Sequence, residues 1–321
     1  MTWKALIVGL GNIGLGYDLD IPSRSFVLSH AKAMSMHPKF DLVGAVEPSS
    51  RQGEIFKEKF SAPTFQTLKE ALAVVNPDVI VLATPTSNHF VTLTNILTHC
   101  SPNAILCEKP LAFSFDDARK MVDICFKQGV YLYVNYMRRS EPGVLEVKRR
   151  FDCGDIIGPI KGVAWYSKGF LHNGSHFFNI LGYWLGQMLD FKLLKNGRDL
   201  MDGDAELDVH VVFEGGEVMF LAANDDNFSH NSIELIAANG RLRYENGGRR
   251  IEWSDAVVDA NLKNYTFLAD PTEIPSDFNR YQWHVIEQLA NTLGGKKAHL
   301  CTGEEGLQTL EAMHLILRGR T

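Results

Sequence analysis

An apolar run, Ala5-Leu-Ile-Val8, leads without a break into Gly9-Leu-Gly11-Asn12-Ile13-Gly14. Few patterns restrict a fold as tightly. The chain must turn sharply at Gly9, bare its backbone at Gly11 and bring the next segment hard against the strand at Gly14. Amides at the start of a following helix then present partial positive charge, the arrangement that receives a pyrophosphate. With a strand before it and a helix expected after it, the pattern is that of a dinucleotide-binding βαβ unit. Gly9, Gly11, Asn12, Ile13 and Gly14 are therefore candidate cofactor contacts.

The next 120 residues keep the same grammar. Leu42–Glu47, Val79–Thr84, Ala104–Glu108 and Val130–Asn135 are short runs rich in Val, Ile and Leu, without the polar alternation of a half-exposed strand. Helices with readable starts lie between them: Thr67-Leu-Lys-Glu70 and Ser114-Phe-Asp-Asp117 resemble capping boxes, and Gly129 stops the second helix. The fold class this predicts is α/β, with an N-terminal doubly wound parallel-sheet (Rossmann) domain over 1–135. Beyond Arg139 hairpin signals take over, with Gly215-Gly216, Asn239-Gly240 and Asn246-Gly247-Gly248 between apolar runs. A C-terminal α+β domain with a mainly antiparallel open sheet is expected over 136–301. A closing helix over 302–321, started by Thr302-Gly-Glu-Glu305, is expected to pack back on the first domain.

Composition narrows the function classes. Among 321 residues, 32 Lys and Arg stand against 38 Asp and Glu, a net charge of −6, so the basic footprint for nucleic acid or an anionic membrane is missing. Five cysteines, odd in number and without a Cys-x-x-Cys pair, fit a reducing cytoplasm better than a disulfide framework. No tyrosine is followed four residues later by lysine, and Gly295-Lys296 is followed by Lys297, which excludes two other nucleotide-using classes.

Glu47, at the end of the second strand, suits both ribose hydroxyls of an adenosine and repels a 2′-phosphate. That favours NAD; Arg51, four residues on, could hold such a phosphate and keeps NADP open. Glu47 lies 33 residues beyond Gly14, where about 20 is usual. The surplus falls in residues 17–28, with Pro22 in the middle, and predicts an inserted loop before a helix capped by Ser29. That loop fits a lid over the site or a plain surface excursion.

Further on come Ala83-Thr84-Pro85-Thr-Ser-Asn88-His89, Cys107-Glu108-Lys109-Pro110, Arg139-Ser-Glu-Pro142 and Gly174-Ser-His176-Phe-Phe-Asn179. In this order and spacing they resemble the Gfo/Idh/MocA oxidoreductases, over nearly the whole chain. The resemblance implies an NAD(P)-dependent enzyme acting on a hydroxyl or keto group of a sugar, cyclitol or nucleotide sugar, and a homodimer or homotetramer formed through the open C-terminal sheet. It implies that Ala83, Thr84, Pro85, Asn88 and His89 line the dinucleotide, that Glu108 and Lys109 face nicotinamide and substrate, with Asn135 grouped among the cofactor contacts, and that His176 is catalytic. Arg139, Tyr166 and Asn179 are candidate substrate contacts.

The residue types suit that chemistry. Histidine titrates near working pH and can take the alcohol's proton, and a lysine beside the reacting oxygen stabilises alkoxide charge. Two positions depart from the family: His172 and Asn179 stand where aspartates are common, so His172 is carried as a third catalytic candidate. His172 and His176 are four residues apart, as zinc ligands can be, but no third ligand is signposted and no metal is expected. A hydride-recycling hydrolase or epimerase, and a catalytically silent sensor of dinucleotide or sugar, remain as alternatives. In the C-terminal strands Val218 and Phe220 alternate with the equally apolar Met219 and Leu221, so one sheet face is expected to meet helices and the other a partner subunit.

Overall fold

Runs of branched apolar residues without polar alternation become strands covered on both faces. In the computed structural model, which describes residues 2–223 and 228–320, the N-terminal strands are β1 (Trp3–Val8), β2 (Phe40–Val46), the two-residue β3 (Thr64–Phe65), β4 (Val79–Leu82), β5 (Ala104–Cys107) and β6 (Tyr131–Val134). They form a parallel sheet in the order β3-β2-β1-β4-β5-β6, and the short strand Cys301–Thr302 pairs antiparallel with β6. Every residue of β4 and β5 is buried. The connecting helices are α1 (His30–Met36), α2 (Ser50–Phe60), α3 (Leu68–Val74), α4 (His89–His99) and α5 (Phe115–Gln128).

Their ends follow local chemistry. The Thr67 hydroxyl accepts from the Glu70 amide while the Glu70 carboxylate accepts from the Thr67 amide, a complete capping box. Ser114 caps α5, and Gly129 closes it at a φ of 70° that only glycine adopts cheaply.

One expectation is corrected here. No regular helix follows the glycine turn directly. After Gly14 the chain makes a single loose turn, in which the Leu15 and Gly16 amides donate to the Gly11 carbonyl and Tyr17 to Asn12, and a short 3₁₀ segment, Gly16–Asp18. It then leaves as the inserted loop, and α1 starts only at His30, capped by Ser29 as the sequence predicts. The reason lies in Asp18. Its buried carboxylate accepts from the amides of Leu28 (2.6 Å) and Ser29 (3.2 Å) and from the Ser29 hydroxyl (2.5 Å), so both ends of the insert are pinned together. Lys32 donates to the carbonyls of Ile21 and Ser23 from within; burial lowers its pKa, against the opposing pull of Asp18. The tip at residues 22–25 is exposed.

Packing divides the chain into two units, Met1–Ser140 with Asn279–Gln308, and Glu141–Phe278 with Thr309–Thr321. Sequence order places 279–301 in the second domain; in the structure these residues belong to the first unit. There Val285, Ile286 and Leu289 join a core containing Ile7, Met34, Phe56 and Leu106.

The second unit has helices α6 (Pro142–Asp152) and α7 (Ser175–Leu185) against a sheet of β7 (Ile160–Tyr166), β8 (Met188–Asp199), β9 (Ala205–Phe213), β10 (Gly216–Ala222), β11 (Ser232–Ala237), β12 (Gly240–Glu245), β13 (Arg250–Val258), β14 (Thr266–Leu268) and β15 (Thr272–Ile274). The order is β14-β13-β12-β11-β7-β10-β9-β8, with β15 on β13; all these pairs are antiparallel except β7 with β10. The inner face, including Val209, Val211, Phe213 and Phe220, packs on Phe177, Phe178 and Leu181 of α7. α8 (Tyr281–Leu293) returns to the first unit. α9 (Gly303–Arg318) starts at the predicted capping box, Thr302 Oγ1 accepting from the Glu305 amide and Glu305 Oε2 from the Thr302 amide, and its Met313 and Ile316 lie in the second unit's core. No helix of the described residues is long and apolar enough to cross a membrane.

Replacing Asp18 by Ala leaves two buried donors on Ser29 and the partly buried Leu28 amide without this acceptor, and is expected to destabilise the protein by about 3 kcal/mol. A urea midpoint measures this, and trypsin should cut at the exposed Arg24 faster in the variant than in the wild type.

Candidate functional site

In a parallel sheet the loops that follow the strands collect at its carboxyl edge, and ligands bind where the strand order reverses, here between β1 and β4. Gly9 sits there at φ 102°, and a Cβ on it would stand 2.6 Å from the Ala83 carbonyl oxygen, so the loops after β1 and β4 touch backbone to backbone. A Cβ on Gly14 would fall on the Gly9 carbonyl. Gly11 differs: a Cβ there meets nothing within 4 Å. Among the described residues no backbone acceptor takes the amides of Gly11, Asn12, Ile13 or Gly14. Bare amides over open space are the features a phosphate needs.

Glu47 closes one flank of this turn. Its Oε2 accepts from the Leu10 amide at 2.8 Å and its Oε1 from the Ser49 amide at 2.9 Å. Arg51 is exposed in the first turn of α2, capped by Ser49. On the other flank Ala83 is buried, Thr84 half-buried, and Pro85 and Asn88 exposed. The hydroxyl of Thr84 is buried without a hydrogen-bond partner among the described residues, as is the Asn135 side-chain oxygen. Both atoms are orphaned acceptors of the kind a bound nucleotide satisfies.

His89 is corrected. It is fully buried, Nε2 facing the Thr84 carbonyl at 2.9 Å and Nδ1 facing the carbonyls of Pro110 and Leu111 at 3.1 Å. With backbone at both nitrogens, it braces the loop after β4 against the Glu-Lys-Pro turn and presents nothing to a ligand.

Glu108 and Lys109 follow β5, with a cis peptide bond between Lys109 and Pro110. Glu108 is held from three sides. His30 Nε2 lies 2.7 Å and Asn135 Nδ2 2.6 Å from its Oε1. Burial pushes its pKa up, and the His30 ring, the Asn135 amide and the Lys109 ammonium together pull it further down, to a net value below the ordinary 4.5. Gln282 completes the group from α8, 2.7 Å from His30 Nδ1 and 3.2 Å from Asn135 Nδ2. His30 and Gln282 are absent from the sequence-derived candidates, since neither belongs to a motif and Gln282 lies 252 residues from His30. Arg139 is buried, with its guanidinium 2.5 Å from Glu305 within the same unit.

The remaining candidates belong to the second unit. His176 is buried in the first turn of α7, and Asn179, one turn on, donates to Thr309 Oγ1 at 3.1 Å. His172 is exposed in the π-helical turn Gly169–Gly174, whose Leu171 and His172 amides donate to Asp204. Tyr166 is a second correction. It is fully buried, its hydroxyl donating to the Leu207 carbonyl at 2.6 Å and accepting from the Leu207 amide at 2.8 Å, so it is core and lines no cleft. Strand alternation explains it: Ile160, Gly162, Ala164 and Tyr166 share the buried face of β7. Among the described residues no three His, Cys, Asp or Glu form a metal-holding group.

The carboxyl-edge turn, its bare amides and the acidic residue after β2 define a dinucleotide-binding Rossmann domain. Residues 3–136 match the family described as "Oxidoreductase family, NAD-binding Rossmann fold", so the match falls on the dinucleotide-binding domain. It is 28% identical over 169 residues to scyllo-inositol 2-dehydrogenase (NAD(+)) of Bacillus subtilis, covering 52% of this chain and 44% of that protein. It is also 28% identical over 138 residues to inositol 2-dehydrogenase of Rubrobacter xylanophilus, covering 43% of this chain and 39% of the relative. The matches thus span less than half the length of these two relatives. The fold is similar to the WlbA dehydrogenase of Bordetella pertussis, crystallised with NADH and UDP-GlcNAcA, with a TM-score of 0.79, 19% identity and coverage of 99% and 95% of the two chains.

Two outcomes follow. Gly11→Ala should leave thermal stability within about 1 °C, since its methyl meets nothing, yet weaken NADH binding about tenfold or more by intruding where a phosphate lies; Gly14→Ala should destabilise the fold itself. Calorimetry and NADH titration separate the two. Because the folded-state pKa of Glu108 lies below its unfolded value, the stability it contributes is present at neutral pH and lost as pH falls below about 4.5. Glu108→Gln should therefore flatten the acid limb of a stability-versus-pH curve.

Proposed function

We propose that the chain is an NAD(P)-dependent oxidoreductase, with NAD favoured, acting between the hydroxyl and keto forms of a sugar, cyclitol or nucleotide sugar. The observation that carries this is the carboxyl edge of the first unit. The amides of residues 11–14 have no backbone acceptor among the described residues, a Cβ on Gly11 meets nothing within 4 Å, and two buried acceptors, on Thr84 and Asn135, lack partners just beyond β4 and β6. Gly9, Gly11 and Gly14 would hold the pyrophosphate and Glu47 the adenosine ribose. A carboxylate already fixed by two amides repels a 2′-phosphate, whereas the exposed Arg51 could attract one.

When bound, the nicotinamide supplies the hydride acceptor or donor. The chain's own residues do the rest. The Lys109 ammonium donates to the reacting oxygen and stabilises its charge as the C–H bond breaks. The His176 imidazole takes the hydroxyl proton in oxidation and returns it in reduction. His172 stands where relatives commonly have aspartate and is exposed; Asn179 stands at the other aspartate position and is tied to Thr309. Neither of these positions carries a carboxylate, and a reaction in which hydride returns within the same turnover is kept as the second reading. Net formation of NADH at 340 nm distinguishes a dehydrogenase from a hydride-recycling enzyme.

The outer face of the second unit's sheet carries Val163 opposite Met219 and Trp165 opposite Leu221 on the adjacent strands β7 and β10, half-buried or exposed. A band of this kind suits a second copy of the chain, and a solution mass of dimer or larger at micromolar concentration is expected.

With a substrate found by screening cyclitols, sugars and nucleotide sugars, Lys109→Met and His176→Ala should each lower kcat about 100-fold or more. NADH affinity should hold within about threefold. Unchanged kcat in either variant removes that residue from the chemistry.

A further inference from the structure

The glycine turn and the Glu-Lys-Pro turn account for the ends of β1 and β5, but not for the buried polar ring behind them. His30 and Gln282 are fully buried and Asn135 is 2% exposed, so water does not complete their hydrogen bonds. Each donor has one assignment that leaves no clash. Asn135 Nδ2 has two hydrogens and lies near two acceptors, Glu108 Oε1 at 2.6 Å and Gln282 Oε1 at 3.2 Å. Its amide cannot be turned over, because its oxygen would then face a carboxylate and a carbonyl. Gln282 is fixed in turn: with Oε1 accepting from Asn135, its Nε2 donates to His30 Nδ1 at 2.7 Å. A nitrogen that accepts carries no hydrogen, so the proton of the His30 ring sits on Nε2 and donates to Glu108 Oε1 at 2.7 Å.

The consequence reaches the surface of the site. Glu108 Oε1 is saturated by two donors, and its Oε2 has no hydrogen-bond partner among the described residues in a side chain that is 15% exposed. Asn135, with both hydrogens committed, keeps its Oδ1 without a partner. Two acceptors are thereby held in fixed orientations at the ends of neighbouring strands β5 and β6, beside Lys109. The ring is also tied to the insert. His30 is the first residue of α1, immediately after the Asp18 clasp, and the Gln282 amide donates to the Val27 carbonyl at 3.2 Å.

We propose that His30 and Gln282 are positioning residues that hold Glu108 Oε2 and Asn135 Oδ1 as acceptors for the hydroxyl and amide donors of the nicotinamide half of the dinucleotide. This rests on the oxidoreductase reading above. Without the His30 donor, Glu108 would be free to swing Oε2 toward Asn135 and withdraw it from the ligand. Without the Gln282 donor, the His30 proton is no longer confined to Nε2, and the ring can present a bare nitrogen to a carboxylate.

The test uses the full chain and two probes, NADH and ADP; the second lacks the whole nicotinamide riboside, its hydroxyls included, but keeps the adenosine and both phosphates. His30→Leu and Gln282→Met should weaken NADH about tenfold, the scale of one hydrogen bond to a charged group, and leave ADP within about twofold. His30→Gln, which keeps an N–H at the Nε2 position, should restore NADH affinity to within about threefold of wild type. If His30→Leu does not fold, the Gln282→Met variant carries the comparison. Equal weakening of both probes would reduce the ring to a structural brace, and undiminished NADH binding in both variants would also overturn the proposal. A wild-type protein that binds neither probe fails differently: it removes the oxidoreductase reading itself and this inference with it.

Discussion

Two pieces of bare backbone in contact set the geometry of the first unit. Gly9 lies against the Ala83 carbonyl, and Gly14 lies against the Gly9 carbonyl. A side chain on Gly9 would push the loop after β1 away from the loop after β4, and one on Gly14 would force the turn itself open, because the blocking atoms are main chain and cannot turn aside as a flexible side chain would. That contact fixes where the strand order reverses, and with it the one stretch of the sheet edge where amides can point at a ligand instead of at a neighbouring strand. Glu47, Ala83, Thr84, Glu108 and Asn135 all gather there because each sits within a residue or two of the carboxyl end of its strand.

Polar satisfaction supplies the second constraint. A buried carboxylate is costly unless hydrogen-bonded, and Glu108 is stabilised by donors from α1 and β6, with α8 fixing their orientation. These elements are far apart in sequence, and the segment 279–308, packed in the first unit, brings Gln282 to His30 and Asn135. Asp18 does for the insert what the ring does for Glu108. A single carboxylate collects three donors and turns an added loop into a fixed approach to α1.

What was legible in the sequence is what is local. The glycine turn, the caps at Ser29, Thr67, Ser114 and Thr302, the stop at Gly129 and the hairpin at Asn239-Gly240 depend on neighbours within a few residues, and the structure has all of them. The long strand β8 went unread because its residues are largely exposed and its pairing with β9 shifts register three times, which erases alternation. Helix α6 went unread because Val144 and Val147 are its only buried large apolar residues. Tyr166 is a candidate substrate contact in the sequence, although its own strand's alternation turns it inward. His89 matched a motif, but only tertiary contacts with Pro110 and Leu111 reveal that both its nitrogens face backbone. The His30–Glu108–Asn135–Gln282 ring had no local signal at all, since its members come from elements 27 to 252 residues apart.

The central claim is that a dinucleotide lays its phosphates on the bare amides of residues 11–14. Hydrogen–deuterium exchange with and without saturating NADH tests it directly, because those four amides have no backbone acceptor among the described residues and exchange freely unless a ligand covers them. Strong slowing at Gly11, Asn12, Ile13 and Gly14 is the result expected. Bound NADH with unchanged exchange across that turn would contradict the account.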